Sequence, residues 1–184
     1  MVVSNLFESD VKVLTTYTDG NSLDGSNSPG FIVGTGDSDT VVVSFFTGKK
    51  LVTELVSATK KTEPSVTEFD IESSAYDLPN IVRFNESYFV SVFISQKKVM
   101  QKGTVLCGDG ENNYLVFIPH NVKNDVITSG KPVCHLLGDD KQNPGTQARR
   151  TAAAPHIADD KIFVVAPYQV FKFDFCGTVM FVES

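Results

Sequence analysis

The chain has 184 residues, of which 41% are hydrophobic, 10% aromatic and 21% charged, a composition typical of a globular protein and not of a disordered or fibrous chain. Its 16 Lys and Arg against 22 Asp and Glu give a formal net charge of −6. Because phosphate neutralisation supplies most non-specific affinity for nucleic acid, this acidic chain, which has no basic face or arm, does not fit a protein that packages DNA or RNA.

Short runs rich in Val, Ile and Phe, bounded by Gly, Pro, Asn and Asp, predict β-strands along the chain. In chain order these runs cover residues 11–14, 31–33, 40–46, 88–94, 104–107, 114–118, 161–165, 170–175 and 179–182. In the run 170–175, three Phe alternate with Lys172 and Asp174, which is the period of a half-buried strand. We predict a mainly β fold, sandwich or barrel-like (β-tulip-like), with at most one or two short helices.

Residues 50–59 leave helix and strand equally open. Apolar residues recur there at a spacing that gives a helix one apolar stripe: Leu51, Val52, Leu55 and Val56. The same segment contains several β-branched residues, which lower helix propensity.

Two polar segments divide the chain. Asp19–Pro29 is rich in Gly, Ser, Asn and Asp, which predicts a flexible connection. We therefore expect an N-terminal arm and linker over residues 1–29 and a β-rich domain over residues 30–184, with a subdivision near residues 79–96 left open. Gly138–Asp160 is long for a structureless connection, so we expect it to have a function or to be ordered by a partner.

The cysteines and histidines show no metal-site spacing. Cys107, Cys134 and Cys176 are odd in number and lie in apolar segments, so we expect free core thiols, as suits a reducing cytosol. Cys134 and His135 are neighbours whose side chains would face opposite sides of a strand. His120 follows Pro119 at the end of a predicted strand and is expected in a loop.

Known catalytic signatures are missing as well. The sequence contains no G-x-S-x-G, H-E-x-x-H, G-x-x-x-x-G-K-[ST] or C-x-x-C pattern. Gly34-Thr35-Gly36 begins like a phosphate-binding loop but lacks the third glycine and leads into a predicted strand, which favours a turn. We assign no catalytic, cofactor-binding or metal-ligating residue, and we predict that the chain is not an enzyme.

One segment keeps an enzymatic alternative open. Ser73–Leu78 reads Ser-Ser-Ala-Tyr-Asp-Leu and resembles the first motif of dUTPases, which would make Asp77 the candidate base of a nucleotide hydrolase. The Pro-Arg-Ser-Gly motif and the glycine-rich C-terminal motif of that family have no counterpart. A receptor-binding or glycan-binding β domain of a viral spike is a further alternative.

The second half of the chain shows a suggestive order of turns and strands. Residues 100–106 form a Lys-Gly turn that feeds a strand, and a polar hairpin tip at residues 108–113 leads into a return strand at 114–118. After a further polar loop, residues 129–132 lead into the strand 133–137, followed at once by Gly-Asp-Asp. Over about residues 97–184 this order resembles the head decoration proteins of tailed bacteriophages, the lambda type.

The resemblance implies a non-enzymatic capsid decoration or cement protein that stabilises the outer shell of a virion. Proteins of that family form trimers and use an N-terminal arm to pair with strands of the major capsid protein. The implied partners are the major capsid protein and a homotrimer of the chain itself, with no nucleic acid and no membrane. The implied location is the capsid exterior, after synthesis in the host cytoplasm.

Overall fold

A computed structural model describes residues 2–4, 13–16, 31–36, 39–47, 50–57, 59, 65–71, 79–95, 98–138, 154–158, 161–166, 169–173 and 179–183. All regular secondary structure in these ranges is β-strand, so the predicted mainly β fold is confirmed. Some segments discussed above lie outside the described residues. They are the linker Asp19–Pro29, the dUTPase-like segment Ser73–Leu78, residues 139–153 and Cys176.

The strands are numbered in chain order. They are β1 (Val2–Ser4), β2 (Val13–Thr16), β3 (Phe31–Gly34), β4 (Thr40–Thr47), β5 (Lys50–Ser57), β6 (Ser65–Asp70), β7 (Asn80–Arg83), β8 (Tyr88–Ser95), β9 (Val99–Gln101), β10 (Thr104–Cys107), β11 (Asn113–Lys123), β12 (Val126–Ser129), β13 (Val133–Gly138), β14 (Ala154–Ala158), β15 (Lys161–Ala166), β16 (Gln169–Phe173) and β17 (Val179–Glu183).

These strands form antiparallel sheets. The front sheet has the order β10-β9-β6-β5-β4-β3, and the middle sheet has the order β12-β11-β8-β7, with β13 also paired to β11. The back sheet has the order β14-β15-β16-β17, and β1 and β2 pair as the N-terminal hairpin. The front and middle sheets form a sandwich, and neither closes into a barrel within the described part of the chain.

The middle sheet is covered on both faces. Phe46 of the front sheet meets Phe93 of β8 edge to face, with ring centroids 5.3 Å apart. On the opposite face, Val90 and Val92 of β8 pack against Ile162 of β15. Strands buried on both faces need apolar residues at successive positions, which explains the near-continuous apolar run in β8.

The segment left open between helix and strand is β5. Leu51 faces the middle sheet in one apolar cluster, whereas Val52 belongs to a separate cluster on the outer face of the front sheet. The spacing that suited one stripe of a helix therefore supplies apolar side chains to both faces of a strand.

The predicted hairpin between residues 104–107 and 114–118 is wrong. β10 pairs with β9, whereas β11 pairs with β8, β12 and β13. A two-residue turn at Lys102 and Gly103, with φ of 49° and 78°, closes the β9–β10 hairpin. Residues 108–112 then carry the chain from the front sheet to the middle sheet.

The polar loop expected after residue 118 is also wrong. β11 continues through Pro119 and returns as β12 after a turn at Asn124 and Asp125, whose φ values are 53° and 60°. On this edge, β13 pairs with β11 up to Phe117, and β12 pairs from His120 onward. The carbonyl of Pro119 points to the same edge, and a proline between two partner strands removes no ladder hydrogen bond from β8.

Cys107 and Cys134 form a disulfide that connects β10 of the front sheet with β13 of the middle sheet. The expectation of free thiols is wrong for these two residues. Cys107 does belong to the core, with 6% of its surface exposed. The pairing brings together residues 27 positions apart on two different sheets, so strand order is needed to recognise it.

Candidate functional site

A chain of hydrogen-bonded side chains crosses the interior between the front and middle sheets. Ser44 Oγ lies 3.1 Å from Thr53 Oγ1 and 3.3 Å from Ser91 Oγ. Ser91 Oγ lies 2.8 Å from Nε2 of His120. All four side chains are buried. Each therefore provides a hydrogen-bond partner for a polar atom that water cannot reach.

The other nitrogen of His120 continues this chain toward the surface. Nδ1 lies 2.8 Å from Ser129 Oγ, and Ser129 donates to Thr67 Oγ1 at 2.6 Å. Because the Ser129 proton goes to Thr67, Ser129 accepts from Nδ1–H, and Nε2 accepts from the Ser91 hydroxyl. Burial lowers the pKa of His120 to about 3, so the ring is neutral at physiological pH.

This series of hydrogen-bonded side chains ends at an open groove of about 660 Å³ between β6 and β12. Its polar lining includes Thr67, Glu68, Asp70, Gln101, Lys102 and Ser129. Ser129 with His120 behind it has the composition of a hydrolase dyad. In this arrangement the Ser129 proton points away from the histidine, and the far nitrogen meets Ser91 instead of a carboxylate. Ser129 therefore has no base that accepts its proton, as a nucleophilic serine requires. The hydrogen bonds of Ser129 and His120 join the two sheets instead.

The sheet edges carry apolar side chains. The large exposed hydrophobic residues of the described chain are Ile32, Val66, Val105, Val126 and Leu136, each at least 42% exposed. Ile32 and Val105 lie on β3 and β10, the two edges of the front sheet, and Val126 and Leu136 lie on β12 and β13 at one edge of the middle sheet. Edge strands of soluble proteins usually carry charge or proline, so these apolar edges are candidate contact surfaces.

A buried carboxylate lies on the outer face of the front sheet. The register places Ile32, Val43, Glu54 and Val66 directly opposite one another across four strands. Glu54 is 0% exposed, and neither carboxylate oxygen has a hydrogen-bond partner. Burial raises the pKa of Glu54 to about 7, because water does not solvate the charged form.

The crossing from β10 to β11 is fixed by Asp109. Its Oδ1 accepts the backbone N–H groups of Glu111 and Asn112 at 2.8 and 2.9 Å, and its Oδ2 accepts the Tyr114 hydroxyl at 2.9 Å. These donors hold the pKa of Asp109 well below its usual range, since they favour the charged form. The arrangement is a side-chain turn that shapes the crossing.

The structure places several residues that the sequence singled out. The turn interpretation of Gly34-Thr35-Gly36 is confirmed, because Thr35 N–H and Oγ1 donate to the Thr40 carbonyl at 3.1 and 2.9 Å. Cys134 pairs with Val116 and His135 with Leu115, so the two neighbours do face opposite sides of β13.

Within the described ranges, no group of three His, Cys, Asp or Glu side chains is arranged to hold a metal ion. Asp77 lies outside these ranges.

His120 is the main residue that sequence reasoning misplaced. The sequence predicts a loop position, whereas the residue lies within β11 and is 1% exposed. The signal was available, because Val116, Ile118 and His120 keep the period of two across Pro119. Glu54 had a signal too, as a single acid within the apolar run Leu51–Val56.

No segment among the described residues forms a helix with the length and hydropathy that crossing a membrane requires. Comparison with known proteins matches the chain to no family model, no curated protein and no solved structure.

Proposed function

We propose that the chain is a non-enzymatic structural protein of a virus particle, a decoration protein that binds the outer shell of a capsid as a homo-oligomer and stabilises it. Its partners in this proposal are the major capsid protein and other copies of the chain. Residues 1–29 would supply the arm that adds to a sheet of the shell, as in other cases of strand addition.

The apolar edges of the sandwich are the observation that carries this proposal. Val105 lies two residues before Cys107 on β10, and Leu136 lies two residues after Cys134 on β13. The disulfide therefore brings two apolar edge strands to the same side of the sandwich. With 49% and 59% of their surfaces exposed, these side chains present an attachment surface that a freely soluble protein would avoid.

Two further properties suit the outside of a particle. Disulfides persist in oxidising surroundings such as virion surfaces, and the Cys107–Cys134 bond connects the two main sheets. The net charge of −6 keeps the protein from competing for packaged nucleic acid. The hydrogen-bonded chain through His120 joins the two sheets without exposing an activated group.

Reattachment to stripped shells tests the proposal. Purified protein is added to shells of its particle from which the decoration has been removed, and bound protein is measured by sedimentation. We expect saturable binding and a higher disruption temperature of the shells. Val105→Lys and Leu136→Lys should each weaken binding by about 10-fold or more, since a buried lysine at an interface is costly.

The matched control is Val66→Lys. Val66 is exposed to a similar degree, 42%, but lies on β6, which is not one of the two strands that the disulfide joins. We expect this variant to bind like the wild type. A protein that neither adds to shells nor changes their heat resistance would overturn the proposal, and so would equal loss of binding in the control.

A further inference from the structure

The outer face of the front sheet is apolar at its centre and closed to solvent there. Along the cross-strand row, Val43 and Glu54 are 1% and 0% exposed, whereas Ile32 and Val66 at the two ends are 57% and 42% exposed. Phe45, Val52 and Val56 join Val43 in one buried cluster on this face. A layer other than the middle sheet must therefore cover the centre of the face.

The N-terminal hairpin is a described element outside the two sheets of the sandwich that contacts β5. β2 lies against β5, and β5 is hydrogen-bonded to β4 and β6 along its two edges. The pairing with β6 ends at Leu55, so a further strand can approach β5 over a face of the sheet or at its Ser57 end. The inner face is filled by the middle sheet, which leaves the hairpin room over the outer face, beside the buried Glu54.

Nothing described around Glu54 compensates its charge. The other charged residues on this face are Lys50, Glu68 and Asp70. Lys50 donates to Glu68 at 2.6 Å, and both side chains are about half exposed at the margin of the face. The residues that β3 and β4 place on this face carry no charge; they are Ile32, Gly34, Val41, Val43, Phe45 and Thr47. The sequences of β1 and β2, VVS and VLTT, contain no titratable side chain.

We propose that the N-terminal hairpin is a displaceable strap over the outer face of the front sheet, and that ionisation of Glu54 releases it and uncovers the apolar surface beneath. The strap is seated while Glu54 is neutral and covered by apolar neighbours. When the carboxyl loses its proton, the buried charge has no donor, and opening the strap gives it water. This inference does not rest on the capsid proposal.

The pH range follows from the two states of Glu54. A solvated Glu has a pKa of about 4.3, and burial under the strap raises the pKa of Glu54 to about 7. Because the pKa of Glu54 is higher in the closed state, its protonation stabilises the closed state fully at a pH below the open-state pKa. This stabilisation is lost as the pH rises toward 7. Above pH 7 the stabilisation has been lost, and the opening equilibrium of the hairpin no longer changes with pH.

Hydrogen exchange of the full chain tests the strap. After correction for the intrinsic pH dependence of exchange, we expect the opening equilibrium of β1 and β2 to rise by about 10- to 100-fold between pH 5 and pH 8. Glu54→Gln should remove this rise, because its side chain cannot ionise. Glu68→Gln, on the same face but exposed, should retain it. Amides of β8 and β11 report whether the sandwich itself stays closed.

Two results would overturn the inference. One is hairpin protection that does not change with pH in the wild type, and the other is the same pH dependence in Glu54→Gln. If Glu54→Gln fails to fold, Glu54→Met gives an uncharged side chain of similar length that suits the apolar cluster. Persistence of the pH dependence in that variant would be equally decisive against the strap.

Discussion

Cys107 is the last residue of β10, Cys134 is the second residue of β13, and the bond between them connects the edge of the front sheet to the edge of the middle sheet. Elsewhere the two sheets are held together by apolar packing and by the hydrogen-bonded chain through His120. The disulfide is a covalent cross-link between them in addition to the backbone that runs from β10 to β11.

Removing this bond should lower stability. The bridged residues are 27 positions apart, and closing a loop of this size is worth about 2 to 5 kcal/mol. We expect Cys107→Ala/Cys134→Ala to lower the free energy of unfolding by that amount in urea denaturation. Cys176→Ser serves as the control and should leave the effect of reductant intact. A wild type whose stability is unchanged by reductant would contradict the prediction.

His120 should make the fold sensitive to acid. Its pKa is about 3 in the folded protein because burial disfavours the charged ring, against about 6.5 when unfolded. A lowered histidine pKa stabilises the folded state above the unfolded value, and this contribution falls by about 1.4 kcal/mol per pH unit as the pH drops below it. The raised pKa of Glu54 acts in the opposite direction over the same range, so this slope should appear in the difference in free energy of unfolding between the wild type and a variant without the imidazole, measured from pH 7 to pH 4.

The variant His120→Gln separates this slope from other titrations. Glutamine cannot take up a proton in this range, so the wild type should lose stability relative to this variant between pH 6.5 and pH 4. It also leaves Ser91 or Ser129 with poorer partners, which should lower stability at pH 7 by about 1 to 3 kcal/mol. An unchanged acid slope in His120→Gln would show that another group causes it.

Gly130 lies too close to Pro119 for a larger residue. A Cβ on Gly130 would come within 2.9 Å of Pro119 Cγ, and the Gly130 N–H donates to the Pro119 carbonyl at 2.8 Å. We expect Gly130→Ala to destabilise the protein by about 1 to 3 kcal/mol. Gly34→Ala is the matched control, because its Cβ would meet no atom within 4 Å. Equal thermal midpoints for the two variants would contradict the expectation.

The β9–β10 turn can be improved. Lys102 has a φ of 49°, which is unfavourable for most side chains but tolerated by asparagine. Lys102→Asn should raise the free energy of unfolding by about 0.5 to 1 kcal/mol, whereas the β-branched Lys102→Val should lower it. Urea denaturation of the two variants checks the sign, and a stabilising Val would count against the turn assignment.

The sequence predicts the fold class and many of the strands because the period of two and the turn residues act locally. It does not predict β6, whose residues Ser65–Asp70 include only Val66 and Phe69 as large apolar positions. It also places residues 119–123 in a loop, because proline normally marks the end of a strand. In this fold the proline lies between two partner strands, an arrangement visible only once the neighbours are known.

The candidate site is harder to predict than the strands. Ser44, Ser91 and His120 come from three strands of two sheets, and their connection depends on strand order and sheet stacking. The disulfide has the same origin, since three cysteines allow three pairings and spacing favours none of them. Burial of Glu54 depends on what covers the outer face of the front sheet, which local sequence does not encode.

Register errors in β8 should be unusually costly for this protein. Along β8, Ser91 faces the histidine while Val90 and Val92 face the back sheet, and both faces are covered. A slip of one residue would turn hydroxyls into the hydrocarbon layer and valines toward the imidazole at the same time. A misaligned β8 is therefore unfavourable against either neighbouring layer, whichever of the two packs on it first.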